Sequence, residues 1–204
     1  MLSRSIAVRA VRGLSFALVV LFGLSGCLSM KSYVDPALPH VGKGDIVAAS
    51  DRKPVVVLFE FRTKGAANAA ATSQIRPRVV AVAAESGLFD GIAANGDGAS
   101  GGVLKVVIDN VAITDNAAAK GFGTGLTLGL VGSMVTDGYV GTMTYTRDGK
   151  VTETTVKHAL HSTIGNKAGP EGLTPMTPAD AVNTVMDQMI WNGLKQLSDQ
   201  GAFR

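Results

Sequence analysis

Cys27 is the only cysteine in the chain, and its setting is what could give a thiol chemistry to do. It follows Leu24-Ser25-Gly26, which close an uncharged apolar run from Leu14 to Leu24, and that run follows a stretch bearing Arg4, Arg9 and Arg12. Small residues before a thiol let an extended chain enter a peptidase site, and the sulfur is a nucleophile able to accept a lipid. The histidines offer a second chemistry. His158 and His161 lie three apart, with His40 elsewhere. On a helix that spacing could share a metal. In a Thr-rich strand, residues three apart point to opposite faces, and a zinc site would have to borrow carboxylates such as Glu153 or Asp109. The expectation is no metal. There is no Gly-x-Ser-x-Gly elbow, and Asp109, Asp115, Asp137 and Asp148 fall near strand ends, where turns favour aspartate. No catalytic residue and no non-covalent cofactor are expected, and an enzyme is the disfavoured class.

Leu24-Ser25-Gly26-Cys27 resembles the lipobox of bacterial lipoproteins. The resemblance implies that a diacylglyceryl group joins the Cys27 sulfur. It further implies cleavage between Gly26 and Cys27 and acylation of the new amine, with palmitate as a typical chain. Residues 1–26 would then be a signal peptide, their apolar run being shorter than the ~20 residues a spanning helix needs. Each buried methylene contributes roughly 0.8 kcal/mol, so several acyl chains anchor stably where one would not. Leu28 stands where an aspartate would favour the inner membrane. By family analogy the expected address is the outer membrane, facing the periplasm.

The chain has 204 residues, 19 of them basic and 16 acidic. All three basic residues of positions 1–26 leave with the signal segment, so residues 27–204 hold 16 of each sign. A nucleic-acid binder needs a basic surface to displace phosphate counterions, and none survives processing. Without other cysteines the domain must stand on its apolar core.

These elements divide the chain into a signal peptide (1–26), a lipidated cysteine with a tether (27–53) and one periplasmic domain (54–204). Pro36, Pro39, Gly42 and Gly44 break periodicity in the tether, which could lie along the domain surface. Val55 to Phe61 reads as a central strand. Ala66 to Ser86 reads as a helix, with Pro77 set to kink it or mark a second start and Gly87 at its C-cap. Val103 to Ile113 is a second strand, with Leu104, Val106 and Ile108 on one face. Tyr139 to Thr146 and Val151 to Ile164 form a hairpin about Asp148-Gly149, with one wet, Thr-rich face. Thr177 caps a last helix that starts at Pro178 and ends at Gly201. Its apolar face carries Val182, Val185, Met186, Met189, Ile190, Leu194 and Leu197; Trp191 with Met186, Met189 and Ile190 could be a partner stripe, though such a stripe is more often core. The fold class is α+β: a mostly antiparallel sheet of about four strands, two helices on one face and a Gly-rich apolar insert.

That insert, Ala117 to Val135, has no charge from Gly121 to Thr136. Read as helix, Ala117, Gly121, Gly125, Gly129 and Ser133 make one small-residue stripe that lets another helix approach, over about 28 Å. Read as extended chain, Phe122, Thr124, Leu126, Leu128 and Leu130 share a face, and glycines fill the other. The segment is either a buried crossover or a membrane or self-association stripe through Gly121, Gly125, Gly129 and Leu128.

Beyond the lipobox, Val57 to Gly65, Ser86 to Phe89, Gly121 to Asp137 and His158 to Asn166 resemble a group of uncharacterised envelope lipoproteins, from which no site residue carries over. The element order is also similar to lipoproteins that activate cell-wall synthases or build secretion pores, a fold-level likeness only. The expected function is a non-catalytic envelope lipoprotein that binds a protein partner or assists an assembly. The alternative is a membrane-active or oligomer-forming subunit that uses residues 117–135.

Overall fold

The computed structural model describes residues 30–93, 101–113, 134–165 and 168–204. Its strands are β1 (Met30–Val34), β2 (Pro54–Thr63), β3 (Ala66–Ala67), β4 (Gly91–Ala93), β5 (Gly102–Ala112), β6 (Met134–Arg147) and β7 (Lys150–Ile164); its helices are α1 (Ala69–Glu85) and α2 (Pro178–Asp199). The class is α+β, but the sheet has seven strands rather than about four, and it is mixed. Its order is β1-β7-β6-β5-β2-β3, with β4 also on β2. β2 runs parallel to both β4 and β5, and the other pairs are antiparallel. A helical connection forces that parallel pairing, because α1 carries the chain from the end of β2 back to the start of its neighbours. The extra strands escaped the sequence pattern because β1, β3 and β4 span five, two and three residues, too few to show a period.

Alternation builds the core. Val55, Val57, Phe59 and Phe61 of β2 lie level with Gly102, Leu104, Val106 and Ile108 of β5, which in turn pair with Tyr145, Met143 and Gly141 of β6. All these apolar side chains are buried, each contributing roughly 1.5–3 kcal/mol. The hairpin turn is as the sequence requires: Asp148 and Gly149 have φ of 51° and 76°, the left-handed pair of a two-residue loop.

α1 starts later than the sequence pattern suggests, because Ala66 and Ala67 are spent on β3. Asn68 caps it by accepting the Ala71 amide. It runs through Pro77 as one helix and buries Val79, Val82 and Ala83. Gly87 (φ 72°) ends it, and Leu88 and Phe89 turn into the core. In α2, the Thr177 hydroxyl accepts the Asp180 amide with Pro178 in the first turn, an arrangement worth about 1 kcal/mol. Gly193 sits mid-helix, where glycine ordinarily costs about 1 kcal/mol. A Cβ there would stand 2.2 Å from Met143 Sδ, so glycine lets α2 press against β6. α1 packs on β2, α2 packs on β7, β6 and β1, and the two helices touch.

Candidate functional site

The pleat of β7 sends His158 and His161 to opposite faces, as the three-residue offset requires. His158 Nε2 lies 2.6 Å from Gln188 Oε1 and donates to it, while Gln188 Nε2 reaches His40 Nδ1 at 3.2 Å. With its proton on Nε2, His158 has Nδ1 buried and without a partner. A second proton would have to sit there, away from water, and burial accordingly holds the His158 pKa below its ordinary value.

His161 is fully buried. Its Nε2 donates to Asp35 Oδ2 at 3.1 Å, and its Nδ1 lies 3.0 Å from the Thr136 hydroxyl. Burial pushes the Asp35 carboxyl up, but the bonds from His161 and the Ala37 amide (2.8 Å) outweigh it, and the net shift is downward. The carboxylates that a zinc site would borrow are elsewhere: Glu153 accepts the Thr144 hydroxyl on an exposed surface, and Asp109 accepts the Gly65 amide. Among the described residues, no three His, Cys, Asp or Glu side chains gather as metal ligands would. Asp35, Thr136 and Gln188 were invisible to sequence reasoning, since each meets its histidine only through the fold.

A concavity lies between the helices. It has a volume of about 890 Å³, with Ile75 and Val82 of α1 and Val182 and Trp191 of α2 in its walls and Phe61 and Tyr139 of the sheet below. Arg78 and Asp187 cross it as a bidentate pair, Nε to Oδ1 at 2.5 Å and Nη2 to Oδ2 at 2.6 Å. Burial, helped by the charge of Asp137, pushes the Tyr139 phenol up to about 12, so it stays a neutral hydroxyl. Of the suggested partner stripe, Met186, Met189 and Ile190 are core, and only Trp191 reaches the cleft.

Gly26, Cys27, Gly121, Gly125, Leu128 and Gly129 lie outside the described residues. So do most of the signal and Gly-rich segments to which they belong. Among the described residues, no helix is long and apolar enough to cross a membrane.

What the described residues define is an α+β domain with a seven-stranded mixed sheet and a cleft between its helices. No protein-family model and no curated protein matches the chain. Solved structures give remote likenesses. Protein XCC0632 from Xanthomonas campestris, of the DUF330 family, is 12% identical over 80% of this chain and 90% of that one, with a TM-score of 0.40. An uncharacterised protein is 11% identical over 76% and 96%, with a TM-score of 0.37. A PelC dodecamer from Paraburkholderia phytofirmans is 16% identical over 83% and 96%, with a TM-score of 0.35. At such scores the likeness transfers neither a function nor an assembly.

Proposed function

We propose that the chain is a lipid-anchored envelope lipoprotein at the outer membrane, facing the periplasm, which binds a protein partner or assists an assembly and catalyses no reaction. The observation that carries the binding half is the cleft between α1 and α2. Its walls mix apolar side chains with Gln74, Glu85 and Asn183, its Arg78–Asp187 pair is internally satisfied, and Trp191 stands half-buried in it. An open cleft of mixed polarity with a tryptophan and an arginine has the chemistry of a protein-binding centre. The occupant it fits is an amphipathic segment of an envelope protein. The anchor half rests on the resemblance of Leu24 to Cys27 to a lipobox, and the neutral charge of residues 27–204 supports a protein rather than a nucleic-acid partner. On this reading both helices sit on one face of the sheet, where the anchor leaves them accessible.

A photo-reactive residue at Asn183, on the exposed cleft wall, should capture one defined envelope protein in living cells, and Ile75→Arg should abolish the adduct. Purely internal crosslinks would sink the binding role. Cys27→Ser should remove palmitate labelling and release the protein from membranes; unchanged fractionation would sink the anchor.

The second reading is a membrane-active or oligomer-forming subunit. It is favoured by the uncharged run from Gly121 to Thr136 and the four-residue spacing of Gly121, Gly125 and Gly129. A photo-reactive residue at Leu128 separates the two: lipid or self adducts would support this reading, and internal adducts would end it.

A further inference from the structure

We infer that the end of the sheet carrying Met30, Val135 and Ile164 is a lipid-docking rim, on which the domain rests against the membrane beside its own anchor. The inference builds on the reading of Cys27 as lipidated and adds to it a surface and an orientation.

Seven large apolar side chains are exposed among the described residues, and three of them converge here: Met30 (49% exposed), Val135 (55%) and Ile164 (37%). Met30 pairs with Ile164 across β1 and β7, and Val135 pairs with Ser162 across β6 and β7. Ser162 and Ile164 are two apart, so the pleat sets all three apolar side chains on one face. They surround a recess of about 250 Å³ that Leu160 and Val182 close from within, with Asp137 in its wall. Single exposed apolar residues are ordinary, but a contiguous group marks a contact surface.

The chain itself says what that surface meets. Cys27 precedes Met30 by three residues, which span at most about 10 Å even when fully extended. Met30 is fixed in the sheet ladder, so the anchor cannot swing away on a long leash. Acyl chains on Cys27 enter the bilayer within that radius of the rim. The bilayer surface is then the first thing the rim touches. Lys31 is exposed on the opposite side of β1, where its stem can lie along the interface while its ammonium meets lipid phosphate. Val151 provides the contrast: it is 61% exposed, but lies at the other end of β7, about 40 Å away.

The test uses the full chain in native membranes, with a photo-reactive residue in place of Val135, Ile164 or Val151 and palmitate labelling followed in parallel. Lipid adducts at Val135 and Ile164 should exceed those at Val151 by roughly tenfold, a ratio that burial of one such side chain sustains. Adducts confined to protein, whether residues 114–133 or another chain, overturn the rim while a labelled Cys27 leaves the anchor standing. An unlabelled Cys27 overturns both. A second measurement uses the lipidated protein on vesicles of phosphatidylethanolamine and phosphatidylglycerol. Hydrogen exchange at Met30 to Tyr33 should slow on the vesicles, and less so in the Val135→Asp variant. Equal slowing in the two proteins would also overturn the rim.

Discussion

The two halves of β7 belong to one strand and live in different surroundings. From Val151 to Lys157 the odd-numbered residues are exposed, while Thr154 and Val156 face the core. Beyond that point Ala159, His161 and Thr163 are as buried as Leu160 on the other face. The change coincides with β1, which covers β7 from Leu160 to Ile164 and brings Tyr33 level with His161. Asp35 follows it, and Gly169 runs so close over the Tyr33 ring that a Cβ would stand 2.1 Å from it. A wet face is thus a property of what lies over a strand, and five residues from far along the chain can remove it.

The first half is closed by an aromatic trio. Phe203 meets Tyr145 at 4.8 Å and Phe89 at 5.4 Å between ring centroids. Phe203→Ala should therefore produce the largest loss, about 3–5 kcal/mol in a urea titration, and a loss under 1 kcal/mol would mean that the trio is not structural. The second half depends on a polar contact instead. Asp35→Ala leaves the His161 Nε2 donor buried without an acceptor, which should cost about 1–3 kcal/mol. Removing both partners, in Asp35→Ala with His161→Leu, should restore part of that loss; strictly additive losses would show that the two groups do not act as a pair.

A smaller effect should appear in the pH dependence of stability. Because burial holds the His158 pKa below the ordinary 6.5, the unfolded chain binds more protons there. The stability contributed is full above that value and falls as pH drops toward the lowered one. The melting temperature should decline between about pH 7.5 and 5.5, and His158→Gln should flatten the decline while keeping a donor for Gln188. An unchanged slope would place the titration elsewhere. Asp35, with its pKa lowered, acts in more acid solution: its contribution is present above 3.8 and lost as pH falls through the lowered value. The least effect on folding belongs to the rim, where Ile164→Ser should stay within about 0.5 kcal/mol of the parent.

The sequence was most legible where one local rule decides the structure. Asp148-Gly149 requires a left-handed pair, and Thr177-Pro178 requires a helix start; both stand where the pattern put them. Val103 to Ile113 showed its buried face through Leu104, Val106 and Ile108 because that alternation runs over a full strand. Legibility failed where partners are distant or elements short. The Met30–Val34 run has no period of its own and becomes a strand because β7 offers an edge. Asp35 looked like one more charge in a polar stretch until the fold set it on His161. The parallel pair was readable in principle, since strand, helix, strand in one sheet implies a crossover, but the antiparallel hairpin dominated the pattern.

That crossover has a consequence for how the chain reaches its fold. β6 and β7 can zip from their turn in microseconds, whereas β2 finds β5 only after residues 64–101 have been looped out, at an entropic cost that local pairing avoids. Until then Val55 to Phe61, a charge-poor β-branched and aromatic run, has no neighbour and can join the same run of another molecule. Leu58 is 47% exposed in the finished sheet, so its side chain contributes little to the native core. Leu58→Lys should leave the urea midpoint nearly unchanged while raising the monomer yield on refolding at high concentration. No gain in yield would mean that β2 is shielded early, by contacts formed before the ladder.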